Sequence, residues 1–434
     1  MAEASSGVGP GRMDCYEVPS GPVARGVAQA PPSKSHTHRA LVCAALASGR
    51  SLLVSPLSSD DTLATKKCLE ALGAVVSEAP EGWLVEGSGG KLQIPEGPLD
   101  CASSGTTLRF MMALCAAMEG KRRIAGSKQL GRRPVLGLAA VLESLGAKIS
   151  WLGEEGFAPL EIEGAAWQGG EASVPSETSS QFVSALLLAA PLASQALPFR
   201  AEGLVSAPYA EMTRIVMARF GARVEKRSET AWAVAPSVYR PATEVIEPDA
   251  SAAAFLFAAA AVTGGSVTVP AIRREMAQGD AVILDYLQAF GVKVTAGEQG
   301  ATVEGLPERG ARLDMRDCPD LVPPLAAVAF AAPTPSSFLN VSHLKAKESD
   351  RLAVLEEGIR ALGGEARQEG SSFSIIPPVS PRGARLDPHG DHRMAMAFAV
   401  MGLRAQGTSI ASPSCVAKSF PGFFKALESL LKQR

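Results

Sequence analysis

The sequence predicts an α/β protein of two similar lobes, and three observations predict it. First, one short phrase closes a series of helical patterns: Leu72-Gly73-Ala74, Leu145-Gly146-Ala147, Phe220-Gly221-Ala222, Phe290-Gly291-Val292 and Leu362-Gly363-Gly364. Their glycines lie 73, 75, 70 and 72 residues apart, a repeat of about 72. Glycine just past a helix suits a left-handed C′ position, and the alternating residues after each phrase read as strands. Second, two proline-stiffened segments, Ala30-Pro31-Pro32 and Glu247-Pro248-Asp249, stand about three repeats apart, as expected where a chain crosses between two groups of units. Third, 434 residues with 46% hydrophobic and 20% charged side chains suit two or three sizeable cores and exclude a disordered chain or a coiled coil.

In chain order, residues 1–14 carry neither a basic nor an apolar leader stretch and read as a short lead rather than a secretory signal. The first lobe is expected over 33–247, with three units. Its helical patterns include Pro134 to Ala147, which ends in one of the repeated phrases. The second lobe takes 248–434, also with three units, one closing on the pattern Arg351 to Gly363. A sixth phrase would fall just beyond Arg434, after the helical pattern Phe423 to Lys432, so the last unit lacks its final strands. The segment Cys15 to Ala28 is expected to supply them, which makes the second lobe discontinuous, 1–32 plus 248–434. A cleft between similar lobes is a common ligand site.

Composition narrows the function. Lys plus Arg number 42 against 44 Asp plus Glu, for a net charge of −2, and only four Trp and four Tyr are available for base stacking. That argues against a nucleic-acid-coating protein. The apolar run Ala252 to Val262 is too short to span a bilayer, so no membrane association is expected. Seven cysteines, an odd number without a CxxC pair, argue against a disulfide framework or zinc ribbon and for a reducing, cytoplasmic setting.

The chemistry concentrates in short segments that open apolar helical patterns. Ser33-Lys34-Ser35-His36-Thr37-His38-Arg39 places hydroxyls and two cations at a helix start, which suits either an anion or an ordinary capped helix. Ser103-Ser104-Gly105-Thr106-Thr107-Leu108-Arg109 repeats the pattern; it lacks the GK[ST] ending of a Walker A loop and reads equally as an N-cap. Arg132-Arg133-Pro134, Ser179-Ser180-Gln181-Phe182 and Ser206-Ala207-Pro208-Tyr209 follow. The second half holds Cys318-Pro319-Asp320, the charge run Lys347-Glu348-Ser349-Asp350-Arg351, Asp387-Pro388-His389-Gly390-Asp391-His392-Arg393, and Lys418-Ser419-Phe420-Pro421. Asp387, His389, Asp391 and His392 are conceivable metal ligands, but Arg393 beside them favours an anion, so no metal is expected.

Taken together and in this order, the segments PSKS…R, SSGTTLR, RP, SSQF, SAPY, CPD, KESDR, DHRMAM and KSFP resemble the 5-enolpyruvylshikimate-3-phosphate synthase family of enolpyruvyl transferases, from about Cys15 onward. The resemblance implies two lobes of three βαβαββ units in an inverse α/β barrel-like arrangement. It implies transfer of the enolpyruvyl group of phosphoenolpyruvate to the 5-hydroxyl of shikimate 3-phosphate through a tetrahedral intermediate, without metal or cofactor. By motif, Lys34, Ser35, Arg39, Ser179, Ser180, Gln181, Ser206, Tyr209, Asp320, His343 and Lys347 correspond to shikimate 3-phosphate contacts. Lys34, Gly105, Arg133, Gln181, Arg351, Arg393 and Lys418 correspond to phosphoenolpyruvate contacts. Asp320 corresponds to the base, Glu348 to the acid, Lys34 and Lys418 to phosphate stabilisers, and His392 to a helper; Gly105 corresponds to the position that leaves room for the inhibitor glyphosate. Ser103, His38 and His343 stand where the family often has Asn. The alternatives are the sister UDP-N-acetylglucosamine enolpyruvyl transferase, whose loop Cys is missing from Gly126–Arg133, and a non-catalytic anion binder of the same fold. A monomer binding only small molecules is expected.

Overall fold

The computed structural model describes residues 15–432; the lead expected at 1–14 lies outside them. Among the described residues twelve α-helices alternate with short strands: α1 Lys34–Leu46, α2 Asp60–Ala71, α3 Gly105–Ala116, α4 Leu136–Ser144, α5 Gln181–Ala189 and α6 Ala207–Arg219 belong to one lobe. The other lobe holds α7 Ala250–Thr263, α8 Ile283–Ala289, α9 Val322–Ala331, α10 Arg351–Ala361, α11 His392–Gly402 and α12 Phe423–Lys432. Each unit contributes one helix to the inside and one to the outside. The odd-numbered helices are apolar around most of their circumference, as in the AAAFLFAAAAV run of α7, and are buried nearly throughout. The even-numbered ones bury a single stripe, as Phe423, Leu427, Leu430 and Leu431 do in α12.

The second unit displays the βαβαββ pattern in full. Its strands Leu99–Asp100, Gly120–Ala125, Lys148–Trp151 and Leu160–Gly164 form a sheet in which the first pairs parallel with the second, and the fourth lies antiparallel between the second and third. The strands alternate buried and more exposed positions, so each sheet covers helices on one face and meets solvent on the other. The odd-numbered helices are therefore inside, and the sheets and even-numbered helices face solvent. Among the described residues there are six sheets, and none closes into a barrel. The five repeat glycines all take positive φ, from 81° at Gly221 to 106° at Gly73.

Two apolar cores result. One draws on residues from Ala40 to Ile246; the other draws on Val18, Ala24 and Ala28 together with residues from Ala250 to Leu431. The last unit differs from expectation in one respect. Only Cys15–Glu17 joins its sheet, antiparallel to Ser409–Ala411, whereas Arg25–Val27 pairs parallel with Ser266–Pro270 of the fourth unit. Arg25–Val27 is the parallel edge strand that the fourth unit needs. The strand before α7, Thr243–Val245, serves the first unit in the same way by pairing with Arg50–Val54.

Both crossings thus fall between an edge strand and the inner helix that follows, and they run side by side. Pro32 bridges Pro248, the Ser33 amide donates to Glu247 O at 2.7 Å, and the Asp249 amide donates to Pro31 O at 2.8 Å. Asp249 caps helices of both lobes: Oδ1 accepts from the Ala252 amide at 3.0 Å and Oδ2 from the Lys34 amide at 3.0 Å.

Candidate functional site

Five of the six inner helices begin at one cavity between the lobes. Residues 34–35 of α1, 105–106 of α3, Gln181 of α5 and 392–393 of α11 line one cavity, as does Asp320 on the turn before α9. Converging helix N-termini bring unsatisfied amides and positive dipole ends to one place, an anion site before any side chain is counted. The outer helices add Asp61, Tyr209 and Arg351 to the same wall.

The side chains form a two-lobe ion network. Arg351 is 1% exposed and binds three carboxylates: Nε to Asp391 Oδ2, Nη1 to Asp320 Oδ1 and Nη2 to Glu348 Oε2, each at 2.8 Å. Arg393 Nη2 reaches the other oxygen of Asp320 at 2.9 Å. From the opposite lobe, Arg133 Nη1 lies 3.3 Å from Glu348 Oε1. Asp61 Oδ2 holds Lys34 Nζ at 3.0 Å, and its Oδ1 stands 3.9 Å from Lys418 Nζ, which donates to Ser103 O at 2.8 Å.

This network sets the charge states. Burial alone would raise the Glu348 carboxyl, but Arg133 and Arg351 outweigh it and hold the pKa well below the usual range. Asp320 is held down in the same sense, against burial, by Arg393 and Arg351. Asp61 is held down, against burial, by Lys34 and Lys418. Burial would lower the Arg351 pKa, but its carboxylates raise it. His392 goes the other way: burial and then Lys34 and Arg393 push its pKa far down, so its imidazole is neutral, and neither ring nitrogen has a hydrogen-bond partner.

The structure gathers most of the residues the sequence singled out. Lys34, Ser35, Arg39, Gly105, Arg133, Ser179, Ser180, Gln181, Ser206, Tyr209, Asp320, Lys347, Glu348, Arg351, His392 and Arg393 all line the cavity. Two do not. Lys418 stands behind the wall on Ser103 and Asp61, and His343 is buried on the 3₁₀ turn Ser342–Ala346 with Nε2 unpartnered. Several wall residues are committed to the protein itself. Arg39 donates to Thr213, Ser184, Ser35 O and Tyr209 O. Gln181 accepts from Arg109 and donates to Thr106, and the Tyr209 hydroxyl crosses to Asp280 Oδ2 at 2.8 Å. The Ser206 hydroxyl is buried and unpartnered, on a residue whose φ of 55° is left-handed.

Asp61, Thr106 and Pro319 also line the cavity; Thr106 and Pro319 belong to segments singled out from sequence but were given no contact there, and Asp61 belongs to none. Asp60-Asp61 after Ser59 reads as ordinary acid at a helix start, complementing the dipole. Only tertiary packing turns Asp61 toward the two lysines.

The metal alternative has no geometry behind it. Asp391 caps α11 and binds Arg351, Asp387 accepts from the His389 amide, and His389 faces Glu357 at 3.5 Å. Among the described residues no three His, Cys, Asp or Glu side chains gather as a ligand set. Cys115 sits inside α3, and burial pushes its thiol up to about 12, as expected of a core cysteine. No described helix is long and apolar enough to cross a membrane.

Comparison with known proteins agrees with this architecture. A family model described as EPSP synthase (3-phosphoshikimate 1-carboxyvinyltransferase) matches residues 19–427. The chain is 42% identical over 405 residues to the 3-phosphoshikimate 1-carboxyvinyltransferase of Methanosphaerula palustris, covering 92% of this chain and 95% of that one. It is 40% identical over 402 residues to the protein of that name from Methanoculleus marisnigri, again covering 92% and 95%. Among solved structures, an EPSP synthase from Acinetobacter baumannii superposes with a TM-score of 0.78 at 24% identity, covering 96% of this chain and 98% of that one, a likeness of fold.

Proposed function

We propose how this chain's residues divide the work from one premise: it belongs to the EPSP synthase (3-phosphoshikimate 1-carboxyvinyltransferase) family. The enzyme transfers the enolpyruvyl group of phosphoenolpyruvate to the 5-hydroxyl of shikimate 3-phosphate and releases phosphate, a step of the shikimate pathway.

Two polyanions must be held together, and the cavity supplies cations from both lobes: Lys34, Arg39 and Arg133 from one, Lys347, Arg351 and Arg393 from the other. In our assignment Arg133, Arg351 and Arg393 take the carboxylate and phosphate of phosphoenolpyruvate, with Lys418 behind them. Ser179, Ser180, Ser206, Lys347 and Arg39 face shikimate 3-phosphate, and the free Ser206 hydroxyl is a donor without a protein partner.

In the addition step the 5-oxygen bonds to C2 of phosphoenolpyruvate, its proton passing to Asp320, while the C2–C3 double-bond pair takes a proton from Glu348 at C3. In elimination Glu348 takes a proton back from C3, the double bond re-forms, and the C2–O bond to phosphate breaks with its electron pair, the departing oxygen taking the proton held by Asp320. Lys34 and Lys418 stabilise the charge on that phosphate. Lobe closure supplies proximity and excludes water.

The observation that carries this assignment is the sharing of Glu348 between Arg133 and Arg351 and of Asp320 between Arg351 and Arg393. The carboxylates occupy the cations that a substrate anion needs. When phosphoenolpyruvate binds the arginines, Glu348 loses the charges that keep it ionised, and its pKa climbs toward that of a working acid. Asp320 shares two of those arginines but also has the charge of Lys347 to hold it down, so in this reading it stays in the ionised form a base requires.

We place the lobes at 33–247 and at 1–32 with 248–434, read the enzyme as a cytoplasmic monomer, and assign it no metal or cofactor. The test is phosphate release from phosphoenolpyruvate in EDTA, with shikimate 3-phosphate and UDP-N-acetylglucosamine as parallel acceptors. Release with shikimate 3-phosphate alone supports the assignment. Release with only the sugar nucleotide moves it to the sister enzyme, and silence with both overturns it.

A further inference from the structure

Glu348 is gripped at two ends by one short turn of the opposite lobe. Arg133 holds its carboxylate, and Gln129, four residues earlier, donates from Nε2 to its backbone carbonyl at 3.1 Å. The segment between is a stiff 3₁₀ turn, Leu130–Arg132, in which the Arg133 amide donates to Leu130 O at 2.9 Å and the Gly131 amide to Ser127 O at 3.0 Å. Gly126 allows the turn to lie close: a Cβ there would stand 2.7 Å from Ala102 O and 2.5 Å from a Leu130 methyl. Gln129 and Arg133 therefore move as one body.

We propose that Gln129 is a positioning residue for the reaction, which fixes the backbone of Glu348 across the closed cleft so that its carboxyl meets C3 of phosphoenolpyruvate. This rests on the reading of Glu348 as the acid. Glu348 lies on the loop between the turn Ser342–Ala346 and α10, and its C-terminal neighbour Ser349 is tied by its own hydroxyl to Asp391 at 3.2 Å. The side chain is anchored by cations that the substrate must claim, so while substrate is bound its carboxyl loses those tethers. The amide of Gln129 holds a backbone carbonyl and not a cation, so a substrate anion has no reason to displace it. A donor that outlasts the ion pairs is what keeps the acid in place when it is needed.

The test compares Gln129→Ala, Gln129→Glu and Gln129→Arg with the parent in steady state, alongside direct binding of shikimate 3-phosphate and a Glu348→Gln control. Loss of one hydrogen bond of this kind corresponds to about a fivefold to tenfold effect. Gln129→Ala and Gln129→Glu, which lack the donor, are expected to lower kcat by that factor with shikimate 3-phosphate affinity unchanged. Gln129→Arg, which restores a donor, is expected to recover most of it. Parent-like kcat in the Ala and Glu variants overturns the proposal, as does an equal loss in all three. Near-normal turnover in Glu348→Gln overturns the acid assignment separately, whatever the Gln129 variants do.

Discussion

Arg133 of one lobe lies 3.3 Å from Glu348 of the other, and that same carboxylate meets Arg351 of its own lobe at 2.8 Å. Both side chains of the cross-lobe pair are nearly buried, at 8% and 9% exposure, so neither charge is left to water. Buried pairs of this kind contribute little net stability against their desolvation, and breaking one leaves a costly lone charge. In the proposed mechanism their value is that the partners are exchangeable: a substrate anion would replace the carboxylate without stranding a cation.

Glu348→Gln keeps the shape and removes the proton donor. Turnover should fall by about 10²- to 10⁴-fold, the range for loss of a general acid, with a circular dichroism spectrum like the parent's. Asp320→Asn should behave alike. Near-normal turnover in both removes the acid–base assignment.

Gly105 is crowded from the cleft side. A Cβ at this position would stand 2.3 Å from Arg133 Nη1 and 2.4 Å from Arg109 Nη1. Gly105→Ala must displace the guanidinium assigned to phosphoenolpyruvate. Its KM for phosphoenolpyruvate should rise several-fold while shikimate 3-phosphate affinity stays, and glyphosate, expected to compete with phosphoenolpyruvate in the parent, should inhibit it less. Unchanged KM and inhibition would show that Arg133 has room to move.

Asp280 gives a pH dependence. Burial, reinforced by Asp320, pushes its carboxyl up to about 6 from the ordinary 3.8, despite bonds from Ser251 and Tyr209. A carboxyl whose folded pKa is raised stabilises the fold while protonated. That contribution declines as pH rises from the unfolded value through about 6. Asp280→Asn should flatten the stability profile over this window and leave the fold at least as stable above it. A slope equal to the parent's contradicts this.

Asp249→Ala removes the cap shared by α1 and α7. The cost should be about 2 kcal/mol, read as a fall in the midpoint of chemical denaturation. Loss below a few tenths of that would mean water replaces the carboxylate at no cost.

Much of this was legible in the sequence because it depends on local chemistry. The five glycines mark helix ends through a backbone requirement, and the hydroxyl and basic residues mark helix starts that proved to converge. What was not legible depends on long-range placement. Nothing near Asp61 indicates that Lys34 and Lys418, from different lobes, would share its carboxylate. The separation of Cys15–Glu17 from Arg25–Val27 into different sheets follows from which units need an edge strand, a question settled by topology. Arg39 and Gln181 carry the right functional groups, yet several of their donors and acceptors are engaged by neighbours that no motif reveals.

The exchange of carboxylate for substrate anion is most directly tested by proton uptake. A dead-end analogue that keeps the carboxylate and phosphate of phosphoenolpyruvate but lacks its double bond is titrated into the enzyme–shikimate 3-phosphate complex. The titration is done calorimetrically, in buffers of different ionisation enthalpy. Uptake approaching one proton per site is expected in the parent enzyme, and its disappearance in Glu348→Gln. Binding without proton uptake in the parent, or with equal uptake in the variant, would contradict it.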